Sequence, residues 1–304
     1  MKIVYAGSPE YAVAPLRALL DAGKEVVAVI TQPDKITGRK RLLTPTPVKS
    51  FALSRGIPVY DFVKIGEHAK EVAGIGADLM ITCAYGQILT GAVLSAFPVG
   101  VYNLHASLLP KFRGASPIQS AILAGEEYTG VTVMKTELSL DSGAILSVKR
   151  CAVGKSTCGE LGEKLSALSA EAAVEAVDIL EKGNPSLLIQ DEGLATYCKK
   201  IKKEDAAVDF SATSHRVANL INAMSPSPAA FAYLGGAPVN LLKAEAWEGS
   251  GEAGVVLSAD KKGVVVACGD GAVNILTLQF PGGKPLAAAD AVNGRKIKAG
   301  DRFD

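Results

Sequence analysis

Residues 100–110 read Gly-Val-Tyr-Asn-Leu-His-Ala-Ser-Leu-Leu-Pro, from Gly100 to Pro110. The opening of this run has the apolar character of a strand buried on both faces, and Asn103 and His105 stand at its far end. Two residues apart on an extended backbone, their side chains point to one side. Pro110 closes the pattern, because it has no N–H for a sheet ladder and its ring forces a turn. A second strand is predicted over Gly130-Val-Thr-Val-Met-Lys-Thr136, and Asp141 follows it within Leu-Ser-Leu-Asp-Ser-Gly. Ligands of open α/β sheets bind beyond the carboxyl ends of strands, so an amide, an imidazole and a carboxylate are expected at one crevice. Such a trio handles a carbonyl carbon without a metal. Spacing alone leaves a plainer alternative equally open, in which Asn103 and His105 cap strand ends on backbone groups. Taken alone, Asp141-Ser-Gly is an ordinary turn.

Outward from this stretch the first half alternates strands with helices. Ile3-Val-Tyr-Ala, Val26-Val-Ala-Val-Ile and Asp78-Leu-Met-Ile-Thr-Cys-Ala read as strands; helices are expected from Gly7-Ser-Pro-Glu to about Ala22, over Val48–Arg55, and over Pro117–Ala124. This alternation predicts a mainly parallel, Rossmann-like sheet with helices on both faces. Gly7-Ser-Pro is not GxGxxG, so a dinucleotide site gains little support. A long helix is expected from Thr157 to Glu181, stopped by Lys182-Gly-Asn-Pro185. From Gln190 to Asp205 the pattern gives way to a charged connector, and short β-runs with glycine turns follow it. These runs predict a small OB-like β-barrel. The expected division is residues 1–189, a linker 190–205, and residues 206–304.

Composition narrows the class. With 304 residues, 48% of them apolar and 21% charged, the chain fits two globular domains and excludes a disordered protein. The opening Met-Lys-Ile-Val-Tyr-Ala-Gly already reads as a strand, so no secretory leader or membrane partner is expected, and the cytoplasm is the expected location. Five cysteines without a CxxC pair fit reduced thiols and give no metal site. A formal charge of +1 makes no global case for nucleic acid, which leaves local patches. Of the three histidines, His68 and His215 lie in polar helical contexts, and only His105 sits beside matching polar residues.

Asn103-x-His105-x-Ser107-Leu-Leu-Pro110-x-x-Arg113-Gly114, followed by Gly130-Val-Thr and Leu140-Asp-Ser-Gly, resembles the 10-formyltetrahydrofolate-dependent formyltransferase family. The resemblance covers effectively the whole chain. Thr31-Gln-Pro-Asp, Gly38-Arg-Lys-Arg, Pro45-Thr-Pro-Val-Lys49, Ala84-Tyr-Gly-Gln-Ile-Leu, Gln190-Asp-Glu, Asn222-Ala-Met-Ser-Pro-Ser-Pro and Lys298-Ala-Gly-Asp-Arg-Phe all resemble its tRNA-specific branch. That branch usually has a glycine where Lys40 stands.

The resemblance implies formyl transfer from 10-formyltetrahydrofolate, as co-substrate and without metal, to the α-amine of methionyl-tRNA by a monomeric enzyme. It implies Asn103, His105 and Asp141 as the catalytic trio, with Arg113-Gly114 anchoring the loop. It implies a folate wall of Ser107, Leu108, Leu109 and Pro110, whose free backbone groups would read the pterin edge, with Tyr85, Gln87 and Leu89 lining the same pocket. Arg39, Lys40 and Arg41 are expected to grip tRNA phosphates, against the plainer reading of a solvated loop. Lys199, Lys200, Lys202 and Lys203, with Arg295, Lys296 and Lys298, form further basic patches. Two alternatives stay open: an amino sugar-nucleotide as acceptor, or a non-catalytic RNA-binding protein on an old enzyme scaffold.

Overall fold

The computed structural model describes residues 1–38 and 41–304, and of Thr37 the backbone only. Two compact units are formed by an interleaved chain. The first gathers Met1–Gly114, Thr129–Cys151 and Gly162–Tyr197; the second gathers Ala115–Tyr128, Ala152–Leu161 and Cys198–Asp304. The expected division was a linear one, whereas these units exchange segments.

In chain order the strands of the first half are β1 (Ile3–Gly7), β2 (Val26–Ile30), β3 (Lys35–Thr37), β4 (Leu42–Thr44), β5 (Val59–Tyr60), β6 (Leu79–Cys83), β7 (Gly100–His105), β8 (Arg113–Gly114), β9 (Tyr128–Lys135) and β10 (Ile145–Ala152). The large sheet of the first unit has the order β10-β9-β7-β6-β1-β2-β5. All pairs from β7 to β5 are parallel. Every residue of β1 and β6 is buried, as strands covered on both faces require, and this is why they read as mainly apolar runs. Helix Pro47–Ser54 starts where Thr46 accepts from the Lys49 N–H at 3.1 Å and proline fills the first helical position.

The strand before Asp141 departs from expectation. β9 runs antiparallel to β7, with Tyr102 opposite Lys135 and His105 opposite Thr132. Its carboxyl end therefore lies at the amino end of β7, far from the crevice. Residues 136–143 turn back, and the chain pairs again where the Lys135 N–H meets the Ala144 carbonyl at 2.8 Å. Asp141 thus reaches the parallel strands' carboxyl ends by a returning loop.

The second unit is built on β12 (Ala230–Leu234), β13 (Ala237–Trp247), β14 (Val256–Asp260), β15 (Gly263–Ala267) and β16 (Ala272–Gln279), which follow the two-residue strand β11 (Tyr197–Cys198). The antiparallel order is β12-β13-β16-β15-β14, with the short β17 (Leu286–Ala287) beside β16. Its core packs Ile221, Leu241, Val264, Ile275 and Leu278 in one cluster, with Leu123 of helix Pro117–Leu123 against it. The register of β13 on β16 slips near Lys243. At that irregularity Asn222, buried on helix Ser214–Met224, exchanges two hydrogen bonds with the Ala244 backbone at 2.8 and 3.0 Å. The last residues bridge both sheet edges: Phe303 pairs with Leu234 at the end of β12, and Arg302 with Val255 just before β14.

Candidate active site

β7 presents Asn103 and His105 beside the carboxyl end of β6, with Thr82 in register opposite Asn103. The Thr82 hydroxyl donates to Asn103 Oδ1 at 2.8 Å. With its oxygen so committed, the Asn103 amide offers its NH2 end as donor. His105 is 5% exposed, and its Nε2 lies 2.9 Å from the Phe112 carbonyl. A carbonyl only accepts, so Nε2 carries the hydrogen, and in the neutral ring Nδ1 is a bare acceptor. That nitrogen faces Asp141 Oδ2 at 3.7 Å. Two acceptors so placed require one proton, or one bridging donor, between them. His105 therefore donates toward the crevice only when protonated, which narrows the donor role expected of it.

Asp141 has a positive φ of 48°, a conformation Asp tolerates better than most residues. Its Oδ2 accepts the Gly114 N–H at 2.8 Å, and its carbonyl accepts from Gln190 Nε2 at 2.9 Å. Gln190, expected at the start of a charged connector, is only 6% exposed. Glu192 and Tyr197, which follow it in the chain, wrap Arg113. All five N–H groups of that buried guanidinium meet acceptors: Gln190 Oε1 twice at 2.8 and 3.0 Å, both Glu192 oxygens at 2.9 and 2.8 Å, and the Tyr197 hydroxyl at 3.2 Å. The Glu192 carboxylate, foremost, holds the Arg113 pKa above its ordinary value, and Arg113 in turn lowers that of Glu192. This anchors the loop as the Arg113-Gly114 reading anticipated.

The loop before Arg113 is held by its own hydrogen bonds and by Thr132 and Thr196. Ser107, fully buried, donates through its hydroxyl to the Lys111 carbonyl at 2.6 Å. Thr132 of β9 donates to the Ser107 carbonyl and accepts from the Leu109 N–H at 2.7 and 3.1 Å. The Pro110 carbonyl takes the Thr196 N–H, and the Leu108 carbonyl takes that of Lys111. Leu109 packs with Met134 and Ile145 in a small core cluster, while Leu108 and Pro110 are half-buried. The Ser107, Leu108 and Pro110 carbonyls and the Leu109 N–H thereby hold the shape of the turn.

Tyr85 and Leu89 are buried among the core residues Phe62, Ile65 and Val93. The Gln87 amide stitches neighbouring backbone, taking the Ile65 N–H at 2.8 Å and giving to the Phe62 carbonyl at 2.8 Å. Ile88 between them is 88% exposed. Burial pushes the Cys83 thiol at the end of β6 up to about 12, so it offers no nucleophile.

The basic loop leaves β2 at Thr31, whose hydroxyl shares a 2.6 Å bond with Thr46, while Gln32 donates to the Tyr85 carbonyl. Lys49 clamps Asp34 and Asp61 at 2.8 and 2.7 Å. β3 and β4 form a hairpin carrying exposed Ile36, Leu42 and Leu43. Arg41 is exposed; Arg39 and Lys40 lie outside the described residues. Among the described residues no group of three or more His, Cys, Asp or Glu is arranged to hold a metal, and no helix is long and apolar enough to cross a membrane.

Residues 1–177 match the formyl transferase family, and residues 200–296 match the formyl transferase C-terminal domain. The chain belongs to the formyl transferase family. It is 45% identical over 299 residues to the methionyl-tRNA formyltransferase of Stutzerimonas stutzeri, covering 97% of this chain and 95% of that one. Identity to the methionyl-tRNA formyltransferase of Chromobacterium violaceum is 44%, over 100% of this chain and 99% of that one. Among solved structures the fold resembles HypX from Aquifex aeolicus in complex with tetrahydrofolic acid, with a TM-score of 0.65 at 18% identity, covering 96% of this chain and 47% of that one. It also resembles the sugar 3N-formyl transferase WlaRD, with a TM-score of 0.68 at 19% identity over 90% of this chain and 97% of that one. As a formyl transferase the chain is an enzyme of one-carbon group transfer.

Proposed function

We propose that this formyl transferase moves the formyl group of 10-formyltetrahydrofolate to the α-amine of methionyl-tRNA, as a cytoplasmic monomer. The observation that carries the reading is the His105–Asp141 pair at 3.7 Å beside the Asn103 amide, on a chain alike over its full length to enzymes named for that acceptor. The amine nitrogen bonds to the formyl carbon, the bond from that carbon to the folate nitrogen breaks, and one proton passes from the amine to the departing nitrogen. The Asn103 NH2 stabilises the oxyanion, a role in which loss of one donor typically costs 10²–10³-fold in rate. Protonated His105 adds positive charge through Nδ1, and Asp141 accepts the amine's proton directly or through water. The turn Ser107–Pro110 supplies an apolar wall for the flat pterin through Leu108 and Pro110, with Tyr85, Gln87 and Leu89 supporting the adjoining one.

Arg39, Lys40 and Arg41 hold phosphates at the acceptor end. The catalytic module is read as residues 1–189, with the sheet of the second unit as an OB-like barrel on the tRNA. Support for closure of that barrel comes from the Phe303 and Arg302 bridges at its two edges. Amino-sugar formyl transferases share the fold at low identity, so the test compares acceptors. Formylation of charged initiator tRNA, and none of an amino sugar-nucleotide, is expected with purified protein; the reverse result overturns the reading.

A further inference from the structure

The second-layer contacts of Asp141 form a closed ring. The Asp141 carboxylate accepts the Gly114 N–H; the neighbouring Arg113 gives two N–H groups to Gln190 Oε1; and Gln190 Nε2 returns to the Asp141 carbonyl at 2.9 Å and the Gly143 carbonyl at 2.7 Å. Every member of the ring that has a side chain is largely shielded from water: Arg113 is 1% exposed, Gln190 6%, and the Asp141 side chain 16%. The turn it grips has little freedom elsewhere. Asp141 sits at φ 48°, and a Cβ on Gly143 would meet the Lys135 carbonyl oxygen at 1.8 Å. A left-handed residue on a returning loop keeps its place only when its surroundings over-determine it.

We propose that Gln190 is a positioning residue for formyl transfer: held by Arg113, whose guanidinium Glu192 braces, it sets the Asp141 carboxylate against His105 through the backbone of the 141–143 turn. The inference rests on the reading of Asp141 as the proton acceptor. Gln190 itself does not face the reacting atoms. Its amide bridges a fully satisfied cation on one side and two carbonyls on the other, an arrangement that only a group with both an acceptor and a two-hydrogen donor completes. Glutamate at this position is nearly isosteric and keeps the Arg113 contact, but it turns an acceptor toward two carbonyl oxygens. The turn is then pushed from its place while the Arg113 cluster survives.

Gln190→Glu is expected to lower kcat roughly ten- to hundredfold, since ångström-scale misplacement of a catalytic group costs up to about 10². The KM for 10-formyltetrahydrofolate stays within about twofold, because the folate wall is braced separately by Thr132. In an Asp141→Asn background the same substitution is expected to lower kcat less than about twofold further, as for groups that act as one unit. An undiminished kcat in Gln190→Glu, or an equal fall in both backgrounds, overturns the inference. Full turnover in Asp141→Asn alone instead sinks the reading beneath it. Glu192→Ala removes an exposed carboxylate and keeps the test alive should Gln190→Glu fail to fold. About a threefold fall in kcat at constant KM is expected there from loosened geometry, and no change in kcat overturns the proposal.

Discussion

The ring of His105 gives Nε2 to the Phe112 carbonyl and turns Nδ1 to Asp141, so a single proton decides whether that pair attracts or repels. Asp141→Asn removes the acidic oxygen facing Nδ1 and keeps the size of the side chain. Turnover is expected to fall 10²–10⁴-fold, the usual worth of a positioned proton acceptor, with folate affinity largely intact. Steady-state kinetics beside a folate titration check both halves, and unchanged turnover removes Asp141 from the chemistry. The i, i+2 spacing of Asn103 and His105 made their shared side legible from sequence, because strand geometry fixes it. Gln190 was not legible in that way. Its neighbours Asp191 and Glu192 are exposed and charged, and nothing local to a polar run tells which member is turned inward by a cation 77 residues earlier.

Elements were readable where one local signal governs them. Thr157 and Glu160 at the head of helix Cys158–Glu181 form a reciprocal cap, Thr157 N–H to Glu160 at 2.9 Å and Glu160 N–H to Thr157 at 3.3 Å. Lys243 first, then the Thr157 N–H, hold the Glu160 pKa below its ordinary value of 4.5. A depressed carboxylate stabilises the fold above its unfolded value, and that contribution is lost as pH falls through the folded one. Glu160→Ala is therefore expected to cost about 0.5 kcal/mol at neutral pH for a half-exposed cap, and progressively less below pH 4.5. Thermal unfolding of both proteins across that range checks it; a gap that widens in acid refutes it.

The direction of β9 was not legible, since an apolar strand reads alike in either sense and only its pairing with β7 decides. The double change Arg39→Ala and Arg41→Ala is expected to abolish most tRNA formylation while folate binding persists. Each lost phosphate contact should flatten the salt dependence of tRNA binding by about 0.7 in log–log slope. Normal kinetics and an unchanged slope in that variant rule out the basic grip.

At the scale of the molecule the chain passes between its two units five times, at residues 114/115, 128/129, 151/152, 161/162 and 197/198. Composition marked the charged stretch after Gln190 as the border, because exposed charge is visible in a sequence and long-range packing is not. Leu123 packs on the core of the second unit, so residues 198–304 expressed alone lack a piece of their own interior. That fragment is expected to melt well below the full protein or to aggregate; a cooperative transition at the full protein's temperature disproves the dependence.

The same weaving sets an order of events on the ribosome. Residues 115–128 and 152–161 emerge early, yet the sheet they belong with is translated only after residue 198. Until then the apolar flank of helix Pro117–Leu123 has no permanent home. A nascent polypeptide paused at that stage offers this flank to chaperones, and slowing translation beyond Cys198 should lengthen the wait.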